Sequence, residues 1–253
     1  MPPSIENPKI TVITVCFNAV NSIEETMLSV LNQTYDNIEY IIIDGGSTDG
    51  TVDKIKKYSN RLSFWISEPD QGIYDAMNKS FKWASGDYLL FLNAGDTFYN
   101  NVVIDNITKA CNGSQIIYGD VMMHFTDNHS AIYNGKFNKF KLTFRNICHQ
   151  SIFYPQMVYK NFQFDLNYKF LADWVSNMQL WKTNSFKYVP IIIANYYRGG
   201  VSDSNKDYYF EKNYEILIKW NLGICAWLYI FFRRYYFRII SIINRFLLLN
   251  NRQ

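Results

Sequence analysis

Several patterns that mark common protein classes are missing from this chain of 253 residues. The four cysteines are widely spaced and form no Cys-x-x-Cys pair, which argues against a disulfide scaffold or a structural zinc site. The chain has neither a Gly-x-Gly-x-x-Gly fingerprint nor a Gly-Lys-Ser/Thr phosphate loop, which disfavours dehydrogenase and NTPase activities. It also has no apolar run near the ~20 residues that a membrane-spanning helix needs.

Negative charge is scarce toward the end of the chain. Residues 212–253 contain seven Lys or Arg residues and one acid, Glu215, which gives this segment a charge of +6. Because the net charge of the whole chain is +3, residues 1–211 carry a charge of −3. A nucleic-acid-binding protein normally has its basic patch on the folded domain, and here that domain is acidic. We therefore expect a catalytic domain with no nucleic-acid partner, followed by a C-terminal segment that seeks a surface.

Apolar and aromatic residues are abundant, at 48% hydrophobic and 18% aromatic. This composition excludes a disordered chain, and the length suits one α/β domain with an appendage. Residues 1–9 are polar and Pro-rich, without a basic and then apolar leader, so we expect a cytoplasmic location.

Strand-like and helix-like segments alternate through the first half of the chain. Nearly continuous apolar runs predict buried parallel strands at 10–17, 38–43 and 88–92, with shorter strands at 62–67 and 115–118. Apolar residues at helical spacing predict helices at 22–31, 51–58, 73–81 and 102–111, the first beginning with a capping box at Ser22 to Glu25. The alternation predicts a mostly parallel sheet flanked by helices. Later we predict strands at 150–154 and 187–193, a helix at 172–182, and no regular element in 120–145.

Polar or acidic residues follow three of the predicted strands. They are Phe17-Asn18, Asp44-Gly45-Gly46 and the run from Asn93 to Asp96. Asp and Gly are also ordinary turn residues, so a single strand end of this kind means little. Ligands of open α/β sheets bind beyond the carboxyl ends of the strands, and three such ends together predict a ligand site there.

Asp96 is the sharpest candidate within that site. Mg²⁺ and Mn²⁺ typically take one or two carboxylates together with substrate phosphates. Asp96 with the neutral Asn93 would make a lean site of this type, completed by a diphosphate. The alternative is that Asp96 caps the following helix.

Other polar residues are candidates, each with a structural alternative. Asp75 and Asn78 are one helical turn apart, so both could face one ligand or both could simply be solvated. Asp173 lies among apolar neighbours, where burial would raise its proton affinity as a general base requires, although an acid at a helix start is also favoured by the dipole. His149 could contact a ligand or be a satisfied structural residue. Arg198 suits a phosphate or a surface loop.

Eight segments, in order from about residue 9 to 202, resemble the family 2 glycosyltransferases, which have the GT-A fold. The segments are ITVITVCFNA, SVLNQTY, IEYIIIDGGSTDGT, SEPDQGIYDAMNK, GDYLLFLNAGD, CHQS, ADW and GGVS. The resemblance is greatest to bacterial O-antigen and capsule sugar transferases. It implies an α/β fold of GT-A type over residues 1–205, with a Rossmann-like mostly parallel sheet. Residues 206–253, which it does not cover, would then form a C-terminal helical tail.

The resemblance also implies an activity. It indicates an inverting transferase that uses a nucleotide-diphosphate sugar, with UDP favoured, and a divalent ion, Mn²⁺ or Mg²⁺. The acceptor would be a hydroxyl of a lipid-diphosphate-linked saccharide in surface polysaccharide synthesis. A nucleotidyltransferase is disfavoured because residues 14–22 contain no Lys or Arg. A non-catalytic nucleotide-sugar-binding protein is disfavoured because both Asp96 and Asp173 are present.

Residue roles follow from position in the family pattern. Asp96 matches the final, metal-coordinating acid of the family's Asp-x-Asp, and Asn93 stands in the place of the first. Asp173 matches the catalytic base, with Ala172 in place of the usual preceding Glu. His149, Asp173 and Trp174 would face the acceptor or the donor sugar. The residues implied in donor binding are Val15, Phe17, Asp44, Asp70, Gly72, Asp75, Asn78, Asn93 and Arg198.

The end of the chain has a pattern of its own. Leu222 to Phe232 is uncharged, and the strongly polar groups of residues 222–249 fall within one ~140° arc of a helical projection. This predicts an interfacial amphipathic helix, or a bent pair, on anionic lipid at the inner face of the plasma membrane. The alternative is that the segment packs on the domain or on the second subunit of a homodimer.

Overall fold

The computed structural model describes residues 5–127, 129–133, 135–199 and 205–233. The strands in this part of the chain are β1 Ile10–Cys16, β2 Ile38–Asp44, β3 Phe64–Ser67, β4 Tyr88–Phe91, β5 Thr97–Phe98, β6 Ile116–His124, β7 Ser130–Tyr133, β8 Ile152–Pro155 and β9 Phe186–Tyr197. The helices are α1 Ile23–Leu31, α2 Thr51–Lys57, α3 Ile73–Ser80, α4 Val103–Thr108, α5 Lys139–Leu142, α6 Gln156–Tyr159, α7 Ala172–Thr183 and α8 Tyr208–Asn221, and residues 224–233 are also helical. Single 3₁₀ turns lie at Ser59–Arg61 and His149–Ser151.

The strands form one sheet in the order β3-β2-β1-β4-β8-β6-β9-β5, with β7 beside β6. The first four strands are parallel, as their continuous apolar runs predict, whereas β8 joins both β4 and β6 antiparallel. Side chains of β1 alternate between two apolar clusters, with Ile13 and Val15 in one and Ile10 and Val12 in the other. Helices α3, α7 and α8 cover the first cluster, and α1 and α4 the second. The predicted α/β fold with a mostly parallel sheet between helices is confirmed.

Two expectations about local structure are wrong. Ser22 stands at the N-cap of α1, but its side chain makes no capping bond, so there is no capping box. Residues 120–145 contain regular structure, namely the end of β6, all of β7 and α5. The pairing of β6 with β9 shifts register on both sides of Asp120, where Gly119 lets the backbones approach. A Cβ at Gly119 would lie 2.6 Å from the Ile191 carbonyl oxygen, and this irregularity hides the strand period from the sequence.

The described part of the tail packs against the body. Phe210 and Ile218 of α8 and Ala226 and Ile230 of helix 224–233 are buried in the first cluster. The two helices meet at Gly223, whose φ of +90° ends α8. In the part of the chain that the structure describes, no helix has the length and apolar character needed to cross a membrane. The sequence predicts an amphipathic helix over 222–249, and its part beyond residue 233 lies outside the described residues. The domain boundary near 205 stays a prediction.

A buried carboxylate ties the sheet to the loop before β4. Burial alone would raise the pKa of Glu39, but hydrogen bonds from Ser85, Thr11 and Lys9 outweigh it and lower this pKa to about 2. A carboxyl whose pKa is depressed in the folded state stabilises the fold above its unfolded pKa near 4.5. That stability is lost as the pH falls toward 2.

We expect Glu39→Gln to lower the free energy of unfolding by about 2–3 kcal/mol at pH 7. Urea unfolding of both proteins between pH 7 and pH 3 would measure the difference, which should shrink below about pH 4.5, because the unfolded wild-type chain then binds a proton at Glu39 that the folded protein does not. Glu6→Gln, at an exposed acid, is the control and should stay within about 0.5 kcal/mol of wild type. A difference that stays constant down to pH 3 would contradict the role assigned to the charge of Glu39.

Candidate active site

The carboxyl ends of the parallel strands form one edge where the predicted polar residues meet. In the sheet register, Cys16 of β1 pairs with Asp44 of β2, and Asp44 pairs with Ser67 of β3. The turn after β4 is tied to β1 by the bond from the Ala94 amide to the Val15 carbonyl, at 3.1 Å. Loops from four neighbouring strands therefore lie along one edge of the sheet, and three of them are the strand ends singled out in the sequence. A ligand site at this edge stays a prediction.

Asp44 organises two of these loops from inside. Its side chain accepts hydrogen bonds from Ser47 Oγ at 2.5 Å, from Ser67 Oγ at 2.6 Å and from the Ser47 amide at 2.9 Å. Burial alone would raise its pKa, but these bonds outweigh burial, so the pKa of Asp44 is lowered. Asp44 is fully buried, and a direct contact between it and a ligand stays a prediction.

An exposed aromatic ring and an acid flank the glycines after β2. The Phe17 side chain is 62% exposed although it follows directly on a buried strand. A Cβ at Gly45 would lie 2.3 Å from Asp70 Oδ2 and 3.4 Å from the Phe17 ring, so only glycine permits this close approach. Val15, in contrast, is 4% exposed and its side chain belongs to the core. The Val15 side chain is therefore not available for the nucleotide, and the predicted position of Val15 near the base and ribose stays a prediction.

The stretch from Asp70 to Asn78 begins as a tight turn. The Gly72 amide donates to Asp70 Oδ1 at 2.8 Å, and Gly72 has a φ of +115°, a conformation that favours glycine. The Asp75 carboxylate accepts from the Gln71 amide at 2.9 Å and lies 3.3 Å from Lys79 Nζ.

Asn78 does not share the orientation expected of it. Its Nδ2 donates to the Phe164 carbonyl at 2.9 Å, and its Oδ1 accepts from the Phe164 amide at 2.8 Å. Both polar atoms are used inside the protein, so Asn78 joins α3 to the segment before α7. The side chain of Asn78 is therefore directed at Phe164 and not at a ligand shared with Asp75, and the donor-binding role of both residues stays a prediction.

Asp96 is a buried acid that forms no ion pair with Lys or Arg among the described residues. Its turn is fixed by Thr26 Oγ1, which donates to the Asp96 carbonyl at 2.7 Å and accepts from the Gly95 amide at 3.0 Å. The carboxylate accepts from Gln150 Nε2 at 3.4 Å and from the Tyr197 amide. Burial raises the pKa of Asp96 to about 7, against the opposing effects of nearby His149 and the Tyr197 amide.

The residues around Asp96 fit a divalent cation. Burial raises the pKa of the Asp96 carboxyl, and a bound cation would offset this by stabilising the charged form. Asn93 Oδ1 is buried and has no hydrogen-bond partner among the described residues, so it is a second oxygen that could act as a ligand. The described residues contain no cluster of three or more His, Cys, Asp or Glu side chains that could hold a metal alone. A cation here would thus need oxygens from a bound phosphate.

Asp173 lies at the start of α7, inside a ring of hydrogen-bond donors. Oδ1 accepts from the Trp174 amide at 2.8 Å and the Tyr74 hydroxyl at 3.0 Å. Oδ2 accepts from Asn146 Nδ2 at 2.9 Å and lies 3.2 Å from His149 Nδ1. Four donors surround a carboxylate that is only 7% exposed, which fixes its orientation.

His149 connects Asp173 to the turn that carries Asp96. Its Nε2 lies 2.8 Å from Asn93 Nδ2, which can only donate, so this nitrogen is the acceptor. Nδ1 then carries the proton and donates a hydrogen bond to Asp173. The predicted base and the predicted cation site are therefore linked through two side chains, both of them candidates from the sequence.

Trp174 and Arg198 differ in how the structure uses them. The Trp174 indole donates to the Leu142 carbonyl at 2.8 Å and stacks on Phe210 with ring centres 5.0 Å apart. Trp174 therefore packs between α5 and α8, and the expected sugar contact is not supported. Arg198 is exposed next to Tyr197, whose amide bonds to Asp96, and its guanidinium lies 5.5 Å from the Phe125 ring centre.

Sequence reasoning missed four residues that shape the site. They are Thr26, Tyr74, Asn146 and Gln150. Gln150 follows His149 in the quoted CHQS segment, and Tyr74 lies within SEPDQGIYDAMNK, so both carried a signal that went unused. Thr26 and Asn146 carried none, because neither belongs to a motif.

Comparison with known proteins agrees with this geometry. The family model "Glycosyl transferase family 2" matches residues 11–169. A PGL/p-HBAD biosynthesis glycosyltransferase of Mycobacterium bovis is 32% identical over 216 residues, which cover 81% of this chain and 83% of the relative.

Solved structures share the fold. TarS of S. aureus, in complex with UDP-GlcNAc, superposes with a TM-score of 0.66 at 17% identity over 83% of this chain and 66% of that one. A longer TarS chain gives the same TM-score, and this protein spans 39% of its length. The mannosyltransferase PcManGT from Pyrobaculum calidifontis, in complex with GDP-Man and Mn²⁺, gives 0.61 at 15% identity over 88% of this chain and 64% of that one. With its sheet flanked by helices, the protein has the GT-A fold. On the family match and the curated relative together, this chain belongs to glycosyl transferase family 2.

Proposed function

We propose that the protein transfers a sugar from a nucleotide-diphosphate donor to an acceptor hydroxyl with inversion at the anomeric carbon. The observation that carries this proposal is the hydrogen-bonded path from Asp173 through His149 and Asn93 toward Asp96. It joins an oriented carboxylate to a carboxylate that needs a cation, which are the two chemical elements that such a transfer requires.

The donor side is the strand edge between Phe17 and Asp96. The exposed Phe17 ring offers a face for stacking of the nucleotide base. Asp70 lies in the loop between β3 and α3, and Asp75 lies in the first turn of α3. Both would accept hydrogen bonds from hydroxyls of the ribose and the donor sugar. UDP is the favoured nucleotide, and UDP-GlcNAc is bound by the related TarS structure. Arg198 follows the end of β9 and would meet the diphosphate.

Asp96 and Asn93 would hold a Mn²⁺ or Mg²⁺ ion together with the donor diphosphate. An ion bound there supplies charge neutralisation for the departing nucleoside diphosphate. The protein's own part is to bury Asp96, to keep Asn93 Oδ1 unpartnered and to hold the turn through Thr26.

Asp173 takes the proton of the acceptor hydroxyl in this proposal. The incoming hydroxyl replaces one of the four donors, and the remaining three keep the carboxylate in place. The oxygen then attacks the anomeric carbon on the face opposite the leaving diphosphate, which inverts its configuration. Holding both substrates in line contributes much of the rate.

The acceptor in this proposal is a lipid-diphosphate-linked saccharide in bacterial surface polysaccharide synthesis, of the O-antigen or capsule type. The support is the basic, aromatic C-terminal segment, which suits a peripheral position on the inner face of the plasma membrane.

The test is donor hydrolysis by the full chain with a panel of UDP-, GDP- and dTDP-sugars, in Mn²⁺ or in EDTA. We expect cation-dependent release of a nucleoside diphosphate from one donor. A parallel assay with a nucleoside triphosphate and a sugar 1-phosphate covers the alternative, because a nucleotidyltransferase would join these two and release pyrophosphate. If no donor is hydrolysed, calorimetric titration with each nucleotide would separate two cases. Binding without release would point to a required acceptor that is missing. The absence of both binding and release would contradict the transferase proposal.

We expect Phe17→Ala to weaken nucleotide binding about tenfold, since base–aromatic stacking contributes about 1–3 kcal/mol. Calorimetric titration with the nucleoside diphosphate would measure the dissociation constant. Phe17→Trp, which keeps an aromatic face, is the matched control and should bind as wild type does. Equal affinities for all three proteins would show that the base lies elsewhere.

A further inference from the structure

Helix 224–233 exposes a surface that is apolar over two turns. Its buried side is formed by Ala226 and Ile230. Its exposed side chains carry no charge, and they are Ile224, Cys225, Leu228, Tyr229, Phe231 and Phe232. Phe231 and Phe232 are 55% and 62% exposed. A contiguous apolar surface of this kind marks an interaction site, in contrast to hydrophobic residues that are exposed singly.

A second segment, residues 136–145 around α5, extends this surface. The Phe140 ring packs edge-on against Tyr229 with centres 5.4 Å apart, and the Arg233 guanidinium lies 4.5 Å from the Phe144 ring centre. The exposed residues of this segment are Lys136, Asn138, Lys139, Phe140, Phe144 and Arg145. Segments 136–145 and 224–233 thus form one surface, which we call the basic-aromatic face.

Both segments lie in stretches of sequence without acids. Residues 128–164 contain no Asp or Glu, and none follows Glu215. The face therefore presents Lys136, Lys139 and Arg145 beside aromatic rings, with no acid of either stretch to balance them. The positive charge and the apolar surface lie together, although they come from parts of the chain about 90 residues apart.

We propose that the basic-aromatic face docks on the surface of an anionic lipid bilayer. Leucine and phenylalanine side chains bury in the acyl boundary, tyrosine suits the interface, and Lys and Arg pair with lipid phosphates. A symmetric dimer through this face would place two positively charged surfaces against each other, and that repulsion opposes it. The proposal extends the predicted tail contact to α5 and does not depend on the proposed reaction.

Docking here would place the bilayer beside the acceptor side of the site. The Leu142 carbonyl in α5 accepts the Trp174 indole proton, and Asn146, just after the face, donates to Asp173. The loop that meets lipid is therefore bonded to the residue next to the proposed base and to the base itself. A lipid-linked hydroxyl would reach Asp173 from this direction.

Flotation of the full chain with lipid vesicles tests the proposal. Vesicles of phosphatidylcholine alone are compared with vesicles in which phosphatidylglycerol replaces part of it. We expect binding to the anionic vesicles that weakens as salt is added. The double variant Lys139→Gln/Arg145→Gln should bind about 30-fold less tightly, at about 1 kcal/mol per basic residue near an anionic surface. Lys56→Gln/Lys109→Gln, at two exposed lysines on α2 and after α4, is the control with the same charge change and should bind as wild type does.

The exposed Cys225 reports which surface meets the lipid. Cys16 and Cys111 are buried and Cys148 is half-buried, so Cys225 is the cysteine best placed to react with a charged maleimide. We expect anionic vesicles to slow its labelling at least tenfold, with Cys225→Ser giving the background rate. Intact-mass and peptide analysis would locate the adduct.

Three results would overturn the proposal. One is wild-type protein that stays free of anionic vesicles at low salt. Another is equal binding by the Lys139/Arg145 variant and its control, which would assign the binding to residues outside α5. The last is undiminished labelling of Cys225 in vesicle-bound protein. Ile224→Asn/Leu228→Asn adds a check, because loss of a dimer in sedimentation without loss of vesicle binding would assign the face to a second copy.

Discussion

Asp173→Asn should lower kcat by about a hundredfold to ten-thousandfold, the usual range for loss of a general base. The substitution removes the charge but keeps the shape of the side chain, so the donor should bind with unchanged affinity. Its amide oxygen can still accept from His149 Nδ1–H and Asn146 Nδ2, the two groups that donate in the wild-type site. The bond between His149 and Asn93 is then kept, so the turn that carries Asp96 is undisturbed. Steady-state rates with a fixed donor, together with nucleotide titration, would measure the loss.

Tyr74→Phe is the matched control for that loss. It removes one of the four donors to Asp173 and leaves the charge in place. We expect a fall in kcat of about tenfold, because a single hydrogen bond to a charged group contributes about 1.5 kcal/mol at the low end of its usual range. If Asp173→Asn keeps near wild-type kcat while its unfolding transition is unchanged, Asp173 is not the base.

The first half of the fold could be predicted from the sequence because buried parallel strands have a recognisable apolar sequence pattern. The strands Ile10–Cys16, Ile38–Asp44 and Tyr88–Phe91 are covered on both faces, so their sequences are nearly continuous apolar runs. Their polar residues then stand out at the carboxyl ends, which is why the sequence could single out candidate residues at this edge of the sheet.

The second half was harder because its strands are irregular. Strand β9 was predicted as 187–193 but runs from Phe186 to Tyr197, with Pro190 in the zone where its pairing with β6 shifts register. Proline argues against a strand in a sequence-based prediction because it has no backbone N–H to donate, although it is tolerated at a bulge. Strand β7 is four largely exposed residues paired with one neighbour, so it has no buried face to leave an apolar pattern.

The site shows a different limit. Trp174 and Asn78 look functional in a motif, but their polar atoms bond to the Leu142 carbonyl and the Phe164 backbone. Tyr74 meets Asp173 across 99 positions of sequence. A motif gives residue type and order, whereas these contacts depend on which loops the folded sheet brings together.

Asp96→Asn should abolish cation-dependent turnover and at the same time stabilise the cation-free protein. The pKa of Asp96 is raised to about 7 by burial, so the folded state holds a proton that the unfolded state has released above about pH 4. Below pH 4 the folded and unfolded states bind the same number of protons at this carboxyl. Between pH 4 and pH 7 only the folded state keeps its proton, so the stability falls as the pH rises. Above pH 7 the wild type bears the full cost of a buried charge, and the asparagine does not.

Thermal unfolding in EDTA would measure this trade between stability and activity. At pH 8 we expect Asp96→Asn to be more stable than wild type by about 2–4 kcal/mol, and at pH 4 we expect no difference. Adding Mn²⁺ with a nucleoside diphosphate should raise the melting temperature of wild type and leave the variant nearly unchanged. Asp75→Asn, at an acid on the same strand edge with Lys79 beside it, is the control and should show no such gain in stability.

A variant that loses both activity and stability would mean that Asp96 supports the fold through bonds beyond those to Gln150 and Tyr197. A variant that keeps its Mn²⁺ response would place the cation elsewhere. Only the combined signature, in which the site is less stable with its carboxylate than without it, fits a residue kept charged for a cation that arrives with the donor.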